Sequence, residues 1–274
     1  MIEMIVVIVI TGIIAGAVAV FIRLPVQGYV DAARRAEMTD IADSALRRME
    51  RDLRLALPNS IRVTPDGTTL EFLLTRTGGR YRATDNGAGA GDVLDFTQPD
   101  SSFDQFGLLA TGVGQAIVLN SDRLVVYNLG ISGADAYAGD NTSLITNAGA
   151  AGALTNEYTI TFSSKQFPFE SPGARFQVIE GPVTYAWDTT TKKMTRYWGY
   201  GISATQQTAA ALAASTASRA LVASNVGSCV FDYTPGVTAR SAVMALTLKV
   251  SESSGSGQTE SAQLYHEVHV SNVP

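Results

Sequence analysis

An α+β fold is the class this sequence predicts: one long N-terminal helix, then an antiparallel β-sheet head. Three observations carry it. Met4 to Ile22 is a run of nineteen residues without a charge, flanked by Glu3 and Arg23. From Tyr29 the apolar residues recur every three to four positions, the period of one helix face. From Ser60 the period falls to two, and Gly, Pro, Asn and Asp punctuate short runs, which is the pattern of strands and turns. The expected organisation is a transmembrane helix half over residues 1–24, an amphipathic half over 25–58 and a β-rich head over 59–274.

The first segment is membrane-length. An α-helix rises about 1.5 Å per residue, so Met4–Ile22 spans roughly 28 Å, close to the hydrocarbon core of a bilayer. Gly12 and Gly16 form a GxxxG spacing that lets a second helix approach closely. Three readings compete: a plain signal anchor, a cleaved secretory signal with Ala17-Val18-Ala19 as its cleavage site, and an assembling helix. The first two want a basic leader, and Glu3 sits where it belongs. A carboxylate at the edge of an apolar helix is costly in lipid and is a functional-site candidate. It is tolerable where an ammonium from a neighbouring chain neutralises it, as in a staggered bundle of helices.

IEMIVVIVITGIIAGAVAVF resembles the N-terminal methylation segment of type IV pilins and type II secretion pseudopilins. In that family a basic leader ends in Gly, and a prepilin peptidase cuts before a motif of the form FTLIE. Met1-Ile2-Glu3 match its last three positions with Met for Leu, so the natural chain is expected to begin upstream of Met1. The resemblance implies Glu3 as a docking carboxylate, and helix partners among other pilins or pseudopilins. It also implies the peptidase acting on the precursor, an inner-membrane assembly platform, and a head held in the periplasm before export into a fibre.

Pro25 removes an N–H and Gly28 weakens the helix nearby, so a kink is expected between the two halves. Beyond it, Met38, Ile41, Ala45, Met49, Leu53 and Leu57 trace one apolar face. The opposite face balances six acids, from Asp31 to Asp52, with six arginines, from Arg34 to Arg54. It offers the i,i+4 pairs Asp43–Arg47, Glu50–Arg54 and Arg48–Asp52. Pro58-Asn59 is the expected end.

The head reads as short strands at Ile61–Thr64, Thr69–Leu74, Gly79–Arg82, Val93–Phe96, Ala116–Leu119, Leu124–Tyr127, Glu157–Phe162, Arg175–Ile179 and Val183–Trp187, with more at Met194–Tyr197, Cys229–Tyr233, Val243–Val250 and Ser261–Val270. Residues 84–92 and 132–156 read as loops, and 203–224 as a short helix or a loop. GPVTYAWDTTTKKMTRYWGY, LVASNVGSCVFDYTPG and the closing HVSNVP resemble the distal strands of J-type pseudopilins and, more closely, of O-type minor pilins of the mannose-sensitive haemagglutinin pilus. That family often carries a second cysteine near the end of the VTY strand. Here Ala186-Trp187 stand there, so Cys229 is expected to be a buried free thiol.

Composition narrows the function. The chain of 274 residues carries a net charge of -5, and because the helix is balanced, all of it falls on the head. An acidic head argues against nucleic acid as a partner. LYHEVH is one residue short of a zinc-protease HExxH, and on a strand His266 and His269 point to opposite faces. GAGAGD occurs once and lacks the spacing of a calcium loop. No catalytic set, metal or cofactor is expected. Tyr197, Trp198 and Tyr200 read as hairpin packing, with a partner or glycan patch as the rarer use. The expected function is a structural one, a minor pilin that helps assemble or prime a fibre at its tip. The alternatives are a secretion pseudopilin and an anchored adhesive module that does not polymerise.

Overall fold

The computed structural model describes residues 2–234, 241–253 and 259–274, without the side chains at 23 and 24; Met1 of the MIE match lies outside these. A single helix, α1, runs unbroken from Ile2 to Leu53 with Pro25 and Gly28 inside it. Among the described residues it is followed by twelve strands and one short helix. They are β1 (Arg62–Val63), β2 (Thr69–Arg80), β3 (Asp100–Phe106), β4 (Arg123–Val126), β5 (Thr142–Ala151), β6 (Glu157–Lys165), β7 (Arg175–Asp188), β8 (Lys193–Trp198), α2 (Ala209–Ala214), β9 (Ser218–Ala223), β10 (Val226–Thr234), β11 (Ser241–Ser253) and β12 (Thr259–Ser271). All the pairings between these strands are antiparallel, so the chain is an α+β protein: an apolar N-terminal helix and an antiparallel head.

The head has two sheets. Nine strands form one, in the order β1-β2-β7-β4-β5-β6-β3, with β8 on β7 and β9 on β8; β10-β11-β12 form the other. The C-terminal half of α1 packs on the smaller sheet. Its buried residues Met38, Ala42, Ala45, Leu46, Met49 and Leu53 follow helical spacing. They meet the inward row of β11, where Met244, Leu246, Leu248 and Val250 alternate with outward residues, and Val268 and Val270 of β12. Cys229 is free and buried in this core. Burial pushes its thiol up to about 12, so it is neutral and packs as a small apolar side chain.

A second core contains nothing from α1. Tyr81, Phe103, Phe162, Phe167 and Phe176 build it with Leu124, Val126, Ile145, Ile160 and Val178. Phe103 sits at its centre, 5.2 Å from Phe176, 5.8 Å from Phe162 and 6.1 Å from Tyr81 between ring centroids. The long strands β2 and β7 pair along their whole length and connect the two cores.

Several elements differ from expectation. The helix stops at Leu53, short of Pro58, because the next residues pair with β2: Leu57 N–H donates to Leu73 O (2.8 Å) and Thr75 N–H to Leu55 O (2.8 Å). The two runs expected at 69–74 and 79–82 are one strand, as are 175–179 and 183–187; β-bulges absorb the irregular residues between them. No strand forms at 93–96 or 116–119. There, side-chain carboxylates take over the backbone donors, Asp100 accepting from Asp95 N–H (2.8 Å) and Asp122 from Val118 N–H (2.8 Å). Residues 132–156 contain a strand, β5, despite their Ala and Gly content, because β4 and β6 pair with it on both sides. The 203–224 stretch holds both α2, capped by Thr208, and β9, which pairs with β8.

Candidate functional site

Every described residue of α1 from Ile2 to Val30 is exposed, and the first buried one is Met38. This is the one described helix long and apolar enough to cross a membrane. Ile5, Ile8, Ile13, Phe21 and Ile22 all present more than half of their surface. A monomer in water does not tolerate a contiguous apolar surface of this length; it calls for lipid or other helices.

Glu3 lies in the first turn of α1, where the helix leaves backbone N–H groups unpaired and favours a negative charge. Gly12 and Gly16 lie one turn apart, and a Cβ built at either would meet no atom within 4 Å. Glycine inside a helix costs about 1 kcal/mol relative to alanine. Nothing in this chain's own packing offsets that cost, so the small residues answer to something outside the fold. Gly28 is equally open. Pro25 leaves the Phe21 carbonyl, four residues earlier, without its helical donor. Glu3, Gly12, Gly16, Pro25 and Gly28 thus share one element and touch no part of the head.

The polar contacts that fix α1 to the head were only partly legible. Asp43–Arg47 forms as expected at 2.7 Å, and Glu50 pairs with Arg54. Asp52 does not turn to Arg48. It accepts from the Tyr185 hydroxyl (2.7 Å) and Arg196 Nε (2.7 Å), which secures the end of α1 to β7 and β8. Glu50 also receives His266 Nε2 of β12 at 3.0 Å, and Arg35 Nη2 reaches Glu260 at 3.1 Å. The signal for Asp52 was its place three residues after Met49 and beside Leu53, on the margin of the apolar stripe rather than opposite it.

His266 faces the helix side and His269 the other face of β12. Among the described residues no three His, Cys, Asp or Glu side chains gather as a metal would require. Tyr197 is buried against Ala186 and Leu212, and Trp198 lies under Arg196, 4.9 Å from its guanidinium carbon. No known family, curated protein or solved structure matches this chain.

Proposed function

We propose that this protein is a minor subunit of a type IV pilus-like fibre, held in the inner membrane by α1 with its head in the periplasm until it is incorporated. It joins sister pilins through the apolar half of α1 and takes part in assembly or priming at the tip. The observation that carries the reading is one helix with two environments: an exposed membrane-length half with a carboxylate in its first turn, continuous with a half built into the head. A plain anchor has no use for Glu3. In a helix bundle an unpaired charge is penalised, and pairing with a neighbour's N-terminal amine is attractive because the surrounding dielectric is low. Partners on this reading are other pilins or pseudopilins and the membrane assembly platform. The resemblance of the closing sequence segments, HVSNVP above all, supports an O-type minor pilin ahead of the alternative, a secretion pseudopilin.

Glu3→Gln tests this, because it keeps shape and removes charge. Membrane insertion is expected to persist, since the nineteen apolar residues are untouched. Recovery with sister pilins in sheared fibres or pull-downs is expected to be lost, because a buried ammonium left without its counter-charge costs about 3–5 kcal/mol. Recovery of the variant with its partners at wild-type levels would instead favour an anchored adhesive module that does not polymerise.

A further inference from the structure

A cleft of about 440 Å³ opens beside a third, smaller core of Leu57, Leu73, Val125, Ala136, Tyr137 and Ile179, between β4, the 136–142 segment, the middle of β7 and the turn after β8. It lies beside an irregular stretch of the β2–β7 pairing. Leu74 pairs with Gly181 and Thr75 with Ile179, which leaves Glu180 without a cross-strand partner; Thr75–Ile179 followed by Thr77–Val178 does the same to Arg76. Two successive bulges therefore break the alternation of β2 and β7. Val178 and Ile179 are both buried, and Glu180 is turned outward into the cleft wall. Gly181 permits this with φ at 136°, a backbone state that other residues adopt only under strain. Bulges that re-aim a side chain concentrate at functional sites.

The groups around the cleft are chemically selective. Glu180 is already partly neutralised by Arg76 Nη2 at 3.5 Å, while Arg76 Nε faces Asp122 at 2.7 Å. Glu180 is therefore suited to accept from hydroxyls rather than to hold a cation. Arg123 is oriented by its Nε, which donates to Thr142 Oγ1 (3.0 Å), and among the described residues no carboxylate lies within ion-pairing distance of it. Its terminal nitrogens are left for an acceptor, and a carboxylate suits their fork best. Tyr137 and Tyr200 line the same cleft with their hydroxyls already engaged, Tyr137 donating to Ser60 O (3.0 Å) and Tyr200 bonding Thr184 and Glu71. Tyr137 is 7% exposed and its ring lies against the Arg62 guanidinium carbon at 3.6 Å, so it forms a closed wall; the half-buried Tyr200 is what offers ring surface.

We propose that this cleft binds a saccharide unit bearing a carboxylate, such as a uronic acid. Its carboxylate would pair with Arg123, its hydroxyls would donate to Glu180, and its C–H surface would lie against Tyr200. The volume lies within the range of small-molecule sites. The proposal does not depend on fibre assembly: Glu3 touches no part of the head, so a Glu3→Gln failure and a failure here are separate results.

The test is titration calorimetry on the full chain in a zwitterionic detergent, which avoids sugar headgroups. The probes are a galacturonic acid disaccharide, its neutral galactose counterpart, acetate and glutamate. The acidic disaccharide is expected to bind about tenfold more tightly than the neutral one, the effect of one charge-assisted pair. Arg123→Gln should abolish that difference, and Glu180→Gln should weaken both sugars about tenfold, with melting temperatures that stay near wild type. Should Arg123→Gln unfold the head, the exposed Glu180→Gln decides alone. Binding of neither sugar, acetate or glutamate binding as tightly as the acidic disaccharide, or unchanged affinity in the folded variants would overturn the proposal.

Discussion

Glu71 on β2 is a charge placed where water does not reach: it is 1% exposed. Arg62 Nε donates to it at 3.0 Å and the Tyr200 hydroxyl at 3.3 Å. Burial raises its pKa above the ordinary 4.5, and these donors recover only part of the lost hydration. The folded chain therefore keeps its proton over a pH range in which the unfolded chain has released it. Stability from this group is fullest below about pH 4.5 and falls as pH rises from there through the folded-state pKa. Glu71→Gln is expected to remove that falling limb. Urea midpoints of wild type and variant, taken from about pH 4 to 7, should converge or cross rather than run parallel. Parallel curves would mean that the folded and unfolded pKa values are alike.

At the scale of the element, α1 is two helices in one. Its C-terminal part is stabilised by burial and by three links to the head, through Arg35, Glu50 and Asp52. Its N-terminal part has no partner in this chain. Shortening the chain to begin at Tyr29 therefore removes no buried side chain, since burial starts at Met38. Such a protein should be monomeric without detergent by sedimentation and should unfold at the same midpoint as the full chain. Met49→Ala in it should cost about 2–5 kcal/mol, the usual loss for a fully buried methionine. A truncated protein that aggregates or melts early would show that the head relies on the removed half.

For the whole molecule, the two cores share strands but not side chains. The aromatic core around Phe103 contains no residue of α1, whereas the helix core draws on β7 to β12 and the first half of β2. Stability in such a molecule is local. Phe103→Ala should cost about 3–5 kcal/mol in its own core. In hydrogen exchange it should speed the amides of β3, β5 and β6 while leaving those of α1 from Met38 to Leu53 as slow as in wild type. Equal acceleration in both regions would mean that the head unfolds as one unit.

The sequence alone determined the class of the fold. It also showed the helix with its two halves, most of its buried face, most strands of the head and the solitary state of Cys229. These depend on local periodicity and on counting: a nineteen-residue apolar run has few soluble explanations, Met38, Ala45, Met49 and Leu53 repeat at helical spacing, and one cysteine has no intrachain partner. Only the tertiary structure decided which charges stay in solvent and which tie helix to head. Asp52 has Arg48 four residues away, yet it prefers Tyr185 and Arg196, which become neighbours only when α1 reaches the sheet. The same holds for β3, β5 and β9, whose polar or alanine-containing segments become strands because adjacent strands supply their hydrogen bonds. It holds too for the cleft, where the β4–β7 pairing brings Arg123 beside Glu180 and two bulges with a glycine turn Glu180 outward, none of which a local pattern announces. Periodicity reports which face of an element is apolar. The partner that covers that face, and the polar groups that meet at its margins, depend on contacts between residues far apart in the chain.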